Sequence, residues 1–498
     1  MLRRYFLTGT LAIAALLLAL PGTSALAQAK KDTVTLGMVL EPPGLDPTVA
    51  PAAAIGEITH FNIFEGLTRI RENGTVAPLL AESWVASTDM KEFTFKLKAG
   101  VKFSDGTPLT SAEVKSSFET YGGAQSTNKR KAVFTNMAEI GAPDPLTVTI
   151  KLKETDANFL FSLGENTAVI TAPASRASNA TNPIGTGPYK LEKWVKGDSV
   201  TLAAQPNFRD PAAIRIKTAT FRIIADPAAQ VAALLAGDID GFPIGMSGEN
   251  VPQFQKDKRF RVTTGTTEGE VMLALNNKRK PLDDLRVRRA LAHAIDRKAL
   301  IEAVASGYGT VIGSHFPPHD PAYVDLSNAY PYDPAKAKAL LKEAGLEKLE
   351  LTLRLPPPAY ARRGGEVVAA MLAEAGINAK IENMEWAQWL DVVFKNFNYD
   401  LTIINHVEPN DIIKYAEPNY YWQYDSPEFR NLLAQANTTL DGKERTEIMQ
   451  RMQRVLSRDA VNVWLYNASR VAIYKVNLKG FWSSAPIFAN DLSAVYWE

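Results

Sequence analysis

A regular alternation of helical and strand-like segments between residues 333 and 404 constrains the fold more than any other feature. A proline at the first helical position and a glycine beyond the last predict one helix over residues 333–345. A second helix is predicted near 365–375. The predicted strands, each with apolar residues at alternate positions, are 349–355, 377–381 and 399–404. This alternation predicts βαβ units and a partly parallel sheet, and therefore an α/β fold.

The N-terminal third shows the same alternation of apolar residues, together with a helix-capping signal. The predicted strands in this part are 34–39, 93–98 and 146–152. Thr110 is followed three residues later by Glu113, and this capping box predicts that a helix begins there. A further helix is expected around 55–67, and a tight turn that needs glycine is expected at 185–188.

The first 27 residues have the pattern of an export signal. Two arginines precede an apolar run that is too short for a membrane span, and an A-x-A cleavage pattern ends at Ala27. The arginine pair also fits twin-arginine export, so the Sec and twin-arginine routes both stay open. The chain has no cysteine, which excludes an N-terminal lipid anchor, disulfides and thiolate metal sites. We therefore expect export to the periplasm with cleavage near Ala27.

The size and charge of the mature chain narrow the class of partner. About 471 residues remain after cleavage, and a chain of this length usually divides into two or three domains. This part contains 53 basic and 54 acidic residues. Because such near-neutrality provides no broad basic surface, neither nucleic acid nor an anionic membrane is a predicted partner.

Motifs of known enzyme classes are absent or incomplete. A G-x-S-x-G elbow and an H-E-x-x-H zinc motif do not occur, and the S-x-x-K match at 126–129 lacks its companion motifs. His315 and His319 are four residues apart, but two prolines between them prevent a helix from placing both on one face. We therefore predict no enzyme activity, no resident metal ion and no cofactor.

Several segments that follow one another along the chain carry a family resemblance. They are 45–47 with 63–67, 77–84 with 95–109, 185–189 with Trp194, 232–240, and 276–291 with 294–297. Together these segments resemble the extracytoplasmic solute-binding proteins of peptide and nickel ABC transporters, the large family 5 group. The resemblance extends over nearly the whole mature chain.

The resemblance implies a two-lobed α/β periplasmic binding protein of class II, cluster C type, with an extra subdomain inserted in lobe I and a hinge between the lobes. The implied ranges are 28–56, 181–268 and 472–498 for lobe I, 57–180 for the inserted subdomain, and 269–471 for lobe II. The two chain crossings are expected near 267–271 and 469–474. A ligand held between the lobes is buried when they close about the hinge.

Side chains near the expected lobe boundary form the candidate binding site. The family pattern places ligand contacts in the loop after the first strand, and the first crossing adds two glutamates. The candidate ligand-binding residues are Glu41, Pro43, Glu268, Glu270, Tyr360, Trp386, Trp389, Asn405, His406, Glu408 and Asp411. A solvated hinge surface stays open as an alternative for Glu268 and Glu270. Core packing is the alternative for the aromatic residues.

The segment 405–411 combines one imidazole, two carboxylates and two amides at the end of a predicted strand, where α/β proteins place ligands. An exposed polar turn is the alternative. In dipeptide-binding relatives this loop supplies an aspartate for the peptide's amino group, so Glu408 or Asp411 would take that part here. At the position of the arginine that relatives use for the peptide carboxylate this chain has Leu355, with Arg354 beside it and Arg362 and Arg363 further on. A single histidine without cysteine argues against direct coordination of a bare metal ion.

The predicted function is capture of a short peptide or peptide-like amine by the solute-binding subunit of an ABC importer, which acts as a monomer and delivers the ligand to the membrane permease. A desolvated ammonium group needs a carboxylate partner, so Glu408→Gln is expected to weaken binding of an amine-bearing ligand tens-fold or more. A sugar derivative, an opine-type conjugate or a metal chelate is the alternative ligand. A secreted hydrolase and a sensor partner are the alternative functions.

Overall fold

The computed structural model describes residues 31–50, 52–439 and 442–498. The predicted export signal, residues 1–27, lies outside the described residues. Residues Asp32–Glu498 group together as one unit through their internal contacts. Over the described chain, no helix combines the length and the apolar character that crossing a membrane requires.

Strands and helices alternate along the chain. The strands are β1 Thr33–Met38, β2 Thr68–Ile70, β3 Val76–Pro78, β4 Ala81–Ala86, β5 Glu92–Leu97, β6 Met137–Asp144, β7 Thr147–Leu152, β8 Tyr189–Val195, β9 Ser199–Ala204, β10 Thr218–Ile223, β11 Gly241–Phe242, β12 Phe260–Leu275, β13 Gly309–Thr310, β14 Leu349–Leu355, β15 Ile377–Asn383, β16 Leu401–His406, β17 Asn462–Lys475, β18 Leu478–Lys479 and β19 Tyr496–Trp497. The α-helices are α1 Ala53–Thr59, α2 Ser111–Gly122, α3 Lys131–Thr135, α4 Phe159–Ser162, α5 Pro227–Ala236, α6 Val251–Gln255, α7 Leu285–His293, α8 Arg297–Ala305, α9 Pro334–Glu343, α10 Ala359–Glu374, α11 Trp386–Trp389, α12 Pro427–Asn437 and α13 Lys443–Arg458. A π-helical turn covers Leu390–Lys395, and 3-10 turns cover Asn166–Ala168, Pro173–Ser175, Gly248–Asn250 and Asp411–Ala416.

One large mixed sheet organises the molecule. Its strand order is β15-β14-β16-β12-β17-β11-β1-β10-β9-β8, and β13 pairs with β17 outside this path. β14 is parallel to both of its neighbours, and so is β1, whereas the central strands are antiparallel. The predicted α/β fold with a partly parallel sheet is therefore confirmed. A separate four-stranded antiparallel sheet contains β4, β5, β7 and β6.

Two long antiparallel strands, β12 and β17, join the two parts of the large sheet. Their register is interrupted between Thr266 and Glu270. Before the interruption β17 also pairs with β11, and after it β12 also pairs with β16. The same two strands therefore border both parts of the sheet. We keep the lobe ranges predicted from the family resemblance as a proposal, and this interruption supports a crossing at 267–271.

Several clusters of buried side chains pack on different parts of this framework. Phe221 belongs to the cluster around β1, β9 and β10, and Phe95 belongs to the cluster of the four-stranded sheet. On the other side, Leu353 lies in a cluster with β14, β16 and α10, and Trp422 lies in an aromatic cluster beside β16. Separate cores of this kind are expected when a chain is too long for a single one.

Local signals in the sequence located several element boundaries correctly. The capping box is present, since Thr110 accepts a hydrogen bond from the helix start and its own backbone N–H donates to Glu113. Helix α9 begins after Asp333, whose carboxylate accepts from Lys336 N, and Gly345 beyond its end has a φ of 75°. Such local interactions depend on neighbouring residues, and this is why the sequence reveals them.

The helix predicted around 55–67 is wrong in length. Helix α1 ends at Thr59, and Phe61 has a left-handed backbone with a φ of 63°. The carbonyl of Ile63 accepts from Gly187 N and the carbonyl of Asn62 accepts from Tyr189 N, so the segment 185–189 takes the hydrogen bonds that a longer helix would use. Tertiary pairing therefore outweighs the apolar periodicity of this segment.

Candidate functional site

A cavity of about 390 Å³ is lined by residues from both parts of the large sheet. Its volume lies within the range of pockets that hold small molecules. The charged side chains in its wall are Lys129, Arg130, Glu165, Glu268, Glu408 and Arg470. Apolar side chains, among them Ile244, Met246, Ile487 and Phe488, form much of the remaining wall. The cavity therefore combines an apolar body with separate positive and negative groups.

Glu268 provides a partly buried carboxylate of this cavity, with a side chain that is 13% exposed. It lies in β12 within the interruption between Thr266 and Glu270, where the ladder with β17 is broken. Its Oε1 accepts a hydrogen bond from His319 Nε2 at 2.8 Å, and His319 Nδ1 lies 2.9 Å from the Thr266 hydroxyl. Burial raises the pKa of Glu268 to about 6, although the hydrogen bond from His319 opposes this change. The group is therefore ionised at neutral pH and available to a cation.

Arg470 provides a buried positive charge in the same wall. It lies in β17 and is 4% exposed. Its guanidinium donates to backbone carbonyls, from Nε to Pro243 at 3.1 Å and from Nη1 to Trp482 at 2.7 Å. Nη2 makes only a 3.5 Å contact with the Tyr474 hydroxyl. Among the described residues no carboxylate forms a direct ion pair with Arg470, although its charge acts to lower the pKa of Glu57 and of Glu72.

The rim of the cavity carries two ion pairs. Lys129 Nζ lies 3.6 Å from Glu408 Oε1, and both side chains are about half exposed. Arg130 Nη2 lies 2.8 Å from Glu165 Oε1, and this pair is more buried. Glu408 was a predicted ligand contact, and the structure places it in the cavity wall with Lys129 as its partner. Its part in ligand binding stays a prediction.

His60 adds a neutral imidazole to the wall. The side chain is 1% exposed and its ring stacks on Phe61 at 3.9 Å between centroids. Burial, reinforced by the charge of Arg69, lowers the pKa of His60 to about 3. Its Nε2 makes no hydrogen bond to any of the described residues. His60 can therefore offer a polar contact to a bound molecule without adding charge.

A second, much smaller cavity lies beside the first and shares Glu268 and Pro409 with it. At its base Asp411 is bonded to two histidines, to His315 Nε2 at 2.5 Å and to His406 Nδ1 at 2.7 Å. Although burial opposes it, the two histidines lower the pKa of Asp411 well below its usual range. Asp411 is therefore an ionised carboxylate whose two oxygens already have partners.

Glu270 also borders the small cavity. It is 3% exposed and stands opposite His406 in the pairing of β12 with β16. Burial, together with the charges of Asp411 and Glu268, raises the pKa of Glu270 well above its usual value. Its carboxyl group makes no hydrogen bond to another residue within the described chain. Most buried side-chain polar groups are hydrogen-bonded to another residue or to water, so this carboxyl group departs from the usual pattern.

Other predicted site residues lie away from the large cavity. Glu41 accepts hydrogen bonds from Trp194 Nε1 and from Gly197 N, both at 3.0 Å, and Pro43 is exposed. Trp386 is 43% exposed on a helix. None of these side chains contributes to the cavity wall. Their part in ligand binding stays a prediction that would require movement of the surrounding segments.

Three further predicted residues are engaged in the interior. Trp389 is 3% exposed and donates from Nε1 to the Thr402 hydroxyl at 3.0 Å, which fits the alternative of core packing. Tyr360 packs against the buried cluster that contains Leu353. Asn405 lies beside Gly269 of the cavity wall, and its Oδ1 is buried without a hydrogen bond to any described residue.

The expectation of a single histidine in this region is wrong. His315 lies 5.3 Å from His406 between ring centroids, and these two rings with Asp411 form a group whose ligand atoms all lie within 4.8 Å of one another. His319 joins Glu268 instead. The prolines that excluded a helix between His315 and His319 also turn the chain, so the two side chains contact different carboxylates.

Sequence reasoning missed Arg470 as a candidate. The residue stands in the predicted return crossing and is followed by the apolar run 471–474, and an arginine within an apolar strand signals a buried charge. His319 was considered only as a partner of His315, and its contact with Glu268 has no local signal because it joins positions 51 residues apart.

Comparisons with known proteins agree with this architecture. A sequence profile described as "Bacterial extracellular solute-binding proteins, family 5 Middle" matches residues 75–411. The glutathione-binding protein GsiB of Escherichia coli O1:K1 / APEC is 27% identical over 497 residues, covering 91% of this chain and 92% of the relative. GsiB of E. coli K12 is also 27% identical, over 483 residues, with 89% of each chain covered.

Solved structures share the fold. The unliganded open form of the periplasmic murein tripeptide binding protein MppA superposes with a TM-score of 0.85 at 23% identity, covering 94% of this chain and 98% of MppA. AgaA of A. tumefaciens R10 in complex with agropinic acid gives a TM-score of 0.72 at 26% identity, with 94% and 99% coverage. The predicted family resemblance is confirmed. The chain belongs to the bacterial extracellular solute-binding proteins of family 5, the binding subunits of ABC importers.

Proposed function

We propose that this protein binds a short zwitterionic peptide, or a peptide-like amine that carries a carboxylate, in the 390 Å³ cavity. The observation that carries the proposal is the presence of two opposite charges, the partly buried Glu268 and the buried Arg470, in one largely apolar wall. Glu268 would accept hydrogen bonds from the ligand's ammonium group. Arg470 would attract its carboxylate, since guanidinium groups suit carboxylates in geometry and charge.

The charge pattern favours a dipolar ligand over a neutral one. A neutral sugar would cover the carboxylate of Glu268 and the guanidinium of Arg470 without bringing either an opposite charge, and desolvation makes that costly. The relatives are named for glutathione, a tripeptide with an amine and carboxylates, and this name supports the same chemical class. We therefore choose glutathione as the first probe. The opine conjugate stays the alternative ligand, because it also combines an amine with carboxylates.

We propose further that the protein binds its ligand without chemical change. No hydroxyl group in the described wall of the large cavity is hydrogen-bonded to a histidine, and such a pair is the usual signature of an activated nucleophile. The proposed sequence of events is export to the periplasm, cleavage near Ala27, ligand capture by the monomer and delivery to a membrane permease.

Isothermal titration calorimetry measures the affinity of each protein variant for each of several ligands. The protein variants are Glu268→Gln and Arg470→Lys, and the ligands are glutathione, its N-acetyl derivative and its carboxamide derivative. Glu268→Gln should weaken binding of the free amine at least tenfold and have little effect on the N-acetyl derivative. Arg470→Lys should weaken binding of the carboxylate at least tenfold and have little effect on the carboxamide.

Two remote variants serve as matched controls. Arg297 is likewise a buried arginine that donates to carbonyls, those of Ser327 and Tyr330, so Arg297→Lys controls for changes in folding. Glu382→Gln controls for loss of one carboxylate, since Glu382 pairs with Arg354 far along the sheet. If native mass spectrometry of protein purified from rich medium identifies a different carried solute, derivatives of that solute replace glutathione. The assignment of Glu268 or Arg470 would be overturned if its variant kept the wild-type ratio of affinities between glutathione and the corresponding N-acetyl or carboxamide derivative.

A further inference from the structure

We propose that His315, His406, Asp411 and Glu270 form a binding site for one divalent transition-metal ion, next to the solute cavity and separate from it. Three of these residues form the group whose ligand atoms lie within 4.8 Å of one another. Two imidazoles and carboxylate oxygens form a donor set that suits zinc and nickel. The inference does not depend on the nature of the transported solute.

The geometry of the group is close to that of a coordination site. Ligand atoms bonded to zinc at about 2.0–2.1 Å lie within about 4 Å of each other. Displacements of the ligand atoms by about 1 Å would therefore bring this group to the spacing of a coordination site. Asp411 holds both imidazoles by hydrogen bonds at 2.5 and 2.7 Å. An ion would take the place of these two hydrogens, and the carboxylate and both ring nitrogens would then bind the ion instead of each other.

Glu270 gives the second and independent indication. Glu270 lies in the wall of the small cavity and is 3% exposed, and apart from its own backbone N–H its carboxyl group has no hydrogen-bond donor among the described residues. Glu270 stands opposite His406 across the β12–β16 ladder, beside the compact group of three ligand residues, and its carboxylate could turn toward an ion held there. A bound cation would give this buried carboxyl group the charged partner that no described side chain provides.

The charges around the small cavity agree with this assignment. Besides Glu270 and Asp411, its wall contains Glu268 and Asp320, and no lysine or arginine is among the described residues of that wall. One doubly charged ion would offset much of this excess of negative charge. Gly74 and Phe161 of the N-terminal half also line this cavity, so an ion could enter it between the two parts of the chain.

The outer partners of the two histidines suit metal binding. Coordination through His406 Nδ1 and His315 Nε2 moves each ring proton to the opposite nitrogen. His406 Nε2 then donates to the Tyr421 hydroxyl, which lies 2.9 Å away, and His315 Nδ1 faces the Tyr415 hydroxyl at 3.3 Å. Such outer hydrogen bonds orient ligating histidines in known metal sites. Both protons therefore remain in the protein when the ion binds.

The experiment titrates ZnCl2 or NiCl2 into the mature protein after chelator treatment and dialysis, with calorimetry for affinity and X-ray absorption for the ligands. We expect one ion per chain, and at the zinc edge a spectrum with two imidazole ligands. Glu270→Gln should weaken binding at least tenfold without loss of thermal stability, because the carboxyl group it replaces makes no hydrogen bond to another described residue. His406→Gln should weaken binding at least a hundredfold.

Asp320→Asn is the matched control. Asp320 is a carboxylate of the same cavity that is not a proposed ligand, so this variant should keep its affinity within threefold. An equal loss in Asp320→Asn and Glu270→Gln would show adventitious attraction by negative charge and would overturn the proposal. Absence of one-to-one binding, or a spectrum without imidazole ligands, would also overturn it. The affinity for glutathione is measured separately and tests only the proposed solute. Failure of that proposal would leave the result of the metal titration unchanged.

Discussion

Lys129 Nζ lies 3.6 Å from Glu408 Oε1, so an ion pair joins the segment before α3 to the loop after β16 at the rim of the large cavity. Both side chains are about half exposed, and exposed pairs of this kind typically contribute about 0–1 kcal/mol. The pair therefore links the two parts of the chain weakly and can break when a ligand enters or leaves.

From this position we expect Lys129→Met and Glu408→Gln each to change glutathione affinity by less than about fivefold. This is a smaller effect than the tens-fold loss for Glu408→Gln that the sequence alone predicted. A double-mutant cycle should give a coupling that disappears in high salt, because salt screens exposed charges. A tens-fold, salt-independent loss in Glu408→Gln would instead identify Glu408 as a direct ligand contact.

Binding of an amine-bearing ligand should weaken in mild acid. Glu268 must be ionised to attract an ammonium group, and burial raises its pKa to about 6. As pH falls below this value the carboxylate takes up a proton, so affinity should drop by up to about tenfold per pH unit. Calorimetry between pH 5 and pH 8 measures the slope. Glu268→Gln should remove most of the dependence of affinity on pH. An unchanged slope in that variant would show that another group titrates.

Replacement of Glu57 by glutamine should stabilise the protein at neutral and higher pH. Burial raises the pKa of Glu57 to about 7, although the charge of Arg470 opposes this. Because the unfolded chain loses this proton near the ordinary value and the folded chain retains it to higher pH, stability falls as pH rises from about 4.5 to 7. The loss reaches up to about 3 kcal/mol above pH 7. Urea denaturation should show a gain for Glu57→Gln at pH 8 and none at pH 4.

Gly187→Ala should destabilise the folded chain by several kcal/mol. A Cβ at this position would lie 2.4 Å from the carbonyl oxygen of Asn62, and the backbone hydrogen bonds to Asn62 and Ile63 hold both segments in place. Overpacking against a fixed backbone typically costs about 1–3 kcal/mol or more. The urea midpoint should fall with an unchanged slope. Gly345→Asn is the control, since Gly345 has a φ of 75° and open space around it.

Much of the fold was predictable because its signals are local. The capping box at Thr110, the helix after Asp333 and strand 349–355 each depend on residues close together in the chain. The helix around 55–67 was predicted too long because its termination depends on hydrogen bonds with residues 187–189, more than 120 positions away. Periodicity describes one face of a segment and contains no information about such partners.

By itself the sequence determined the α/β class, the family and the presence of carboxylates and a histidine around residues 405–411. Only the tertiary structure decided how these groups are used. It brings His315 to Asp411, His319 to Glu268 and Arg470 into the wall of the cavity, across separations of 96 and 51 residues for the two histidine contacts. A side chain's charge state and partners depend on burial and on atoms within a few ångströms. Both are properties of the folded chain rather than of neighbouring positions in the sequence.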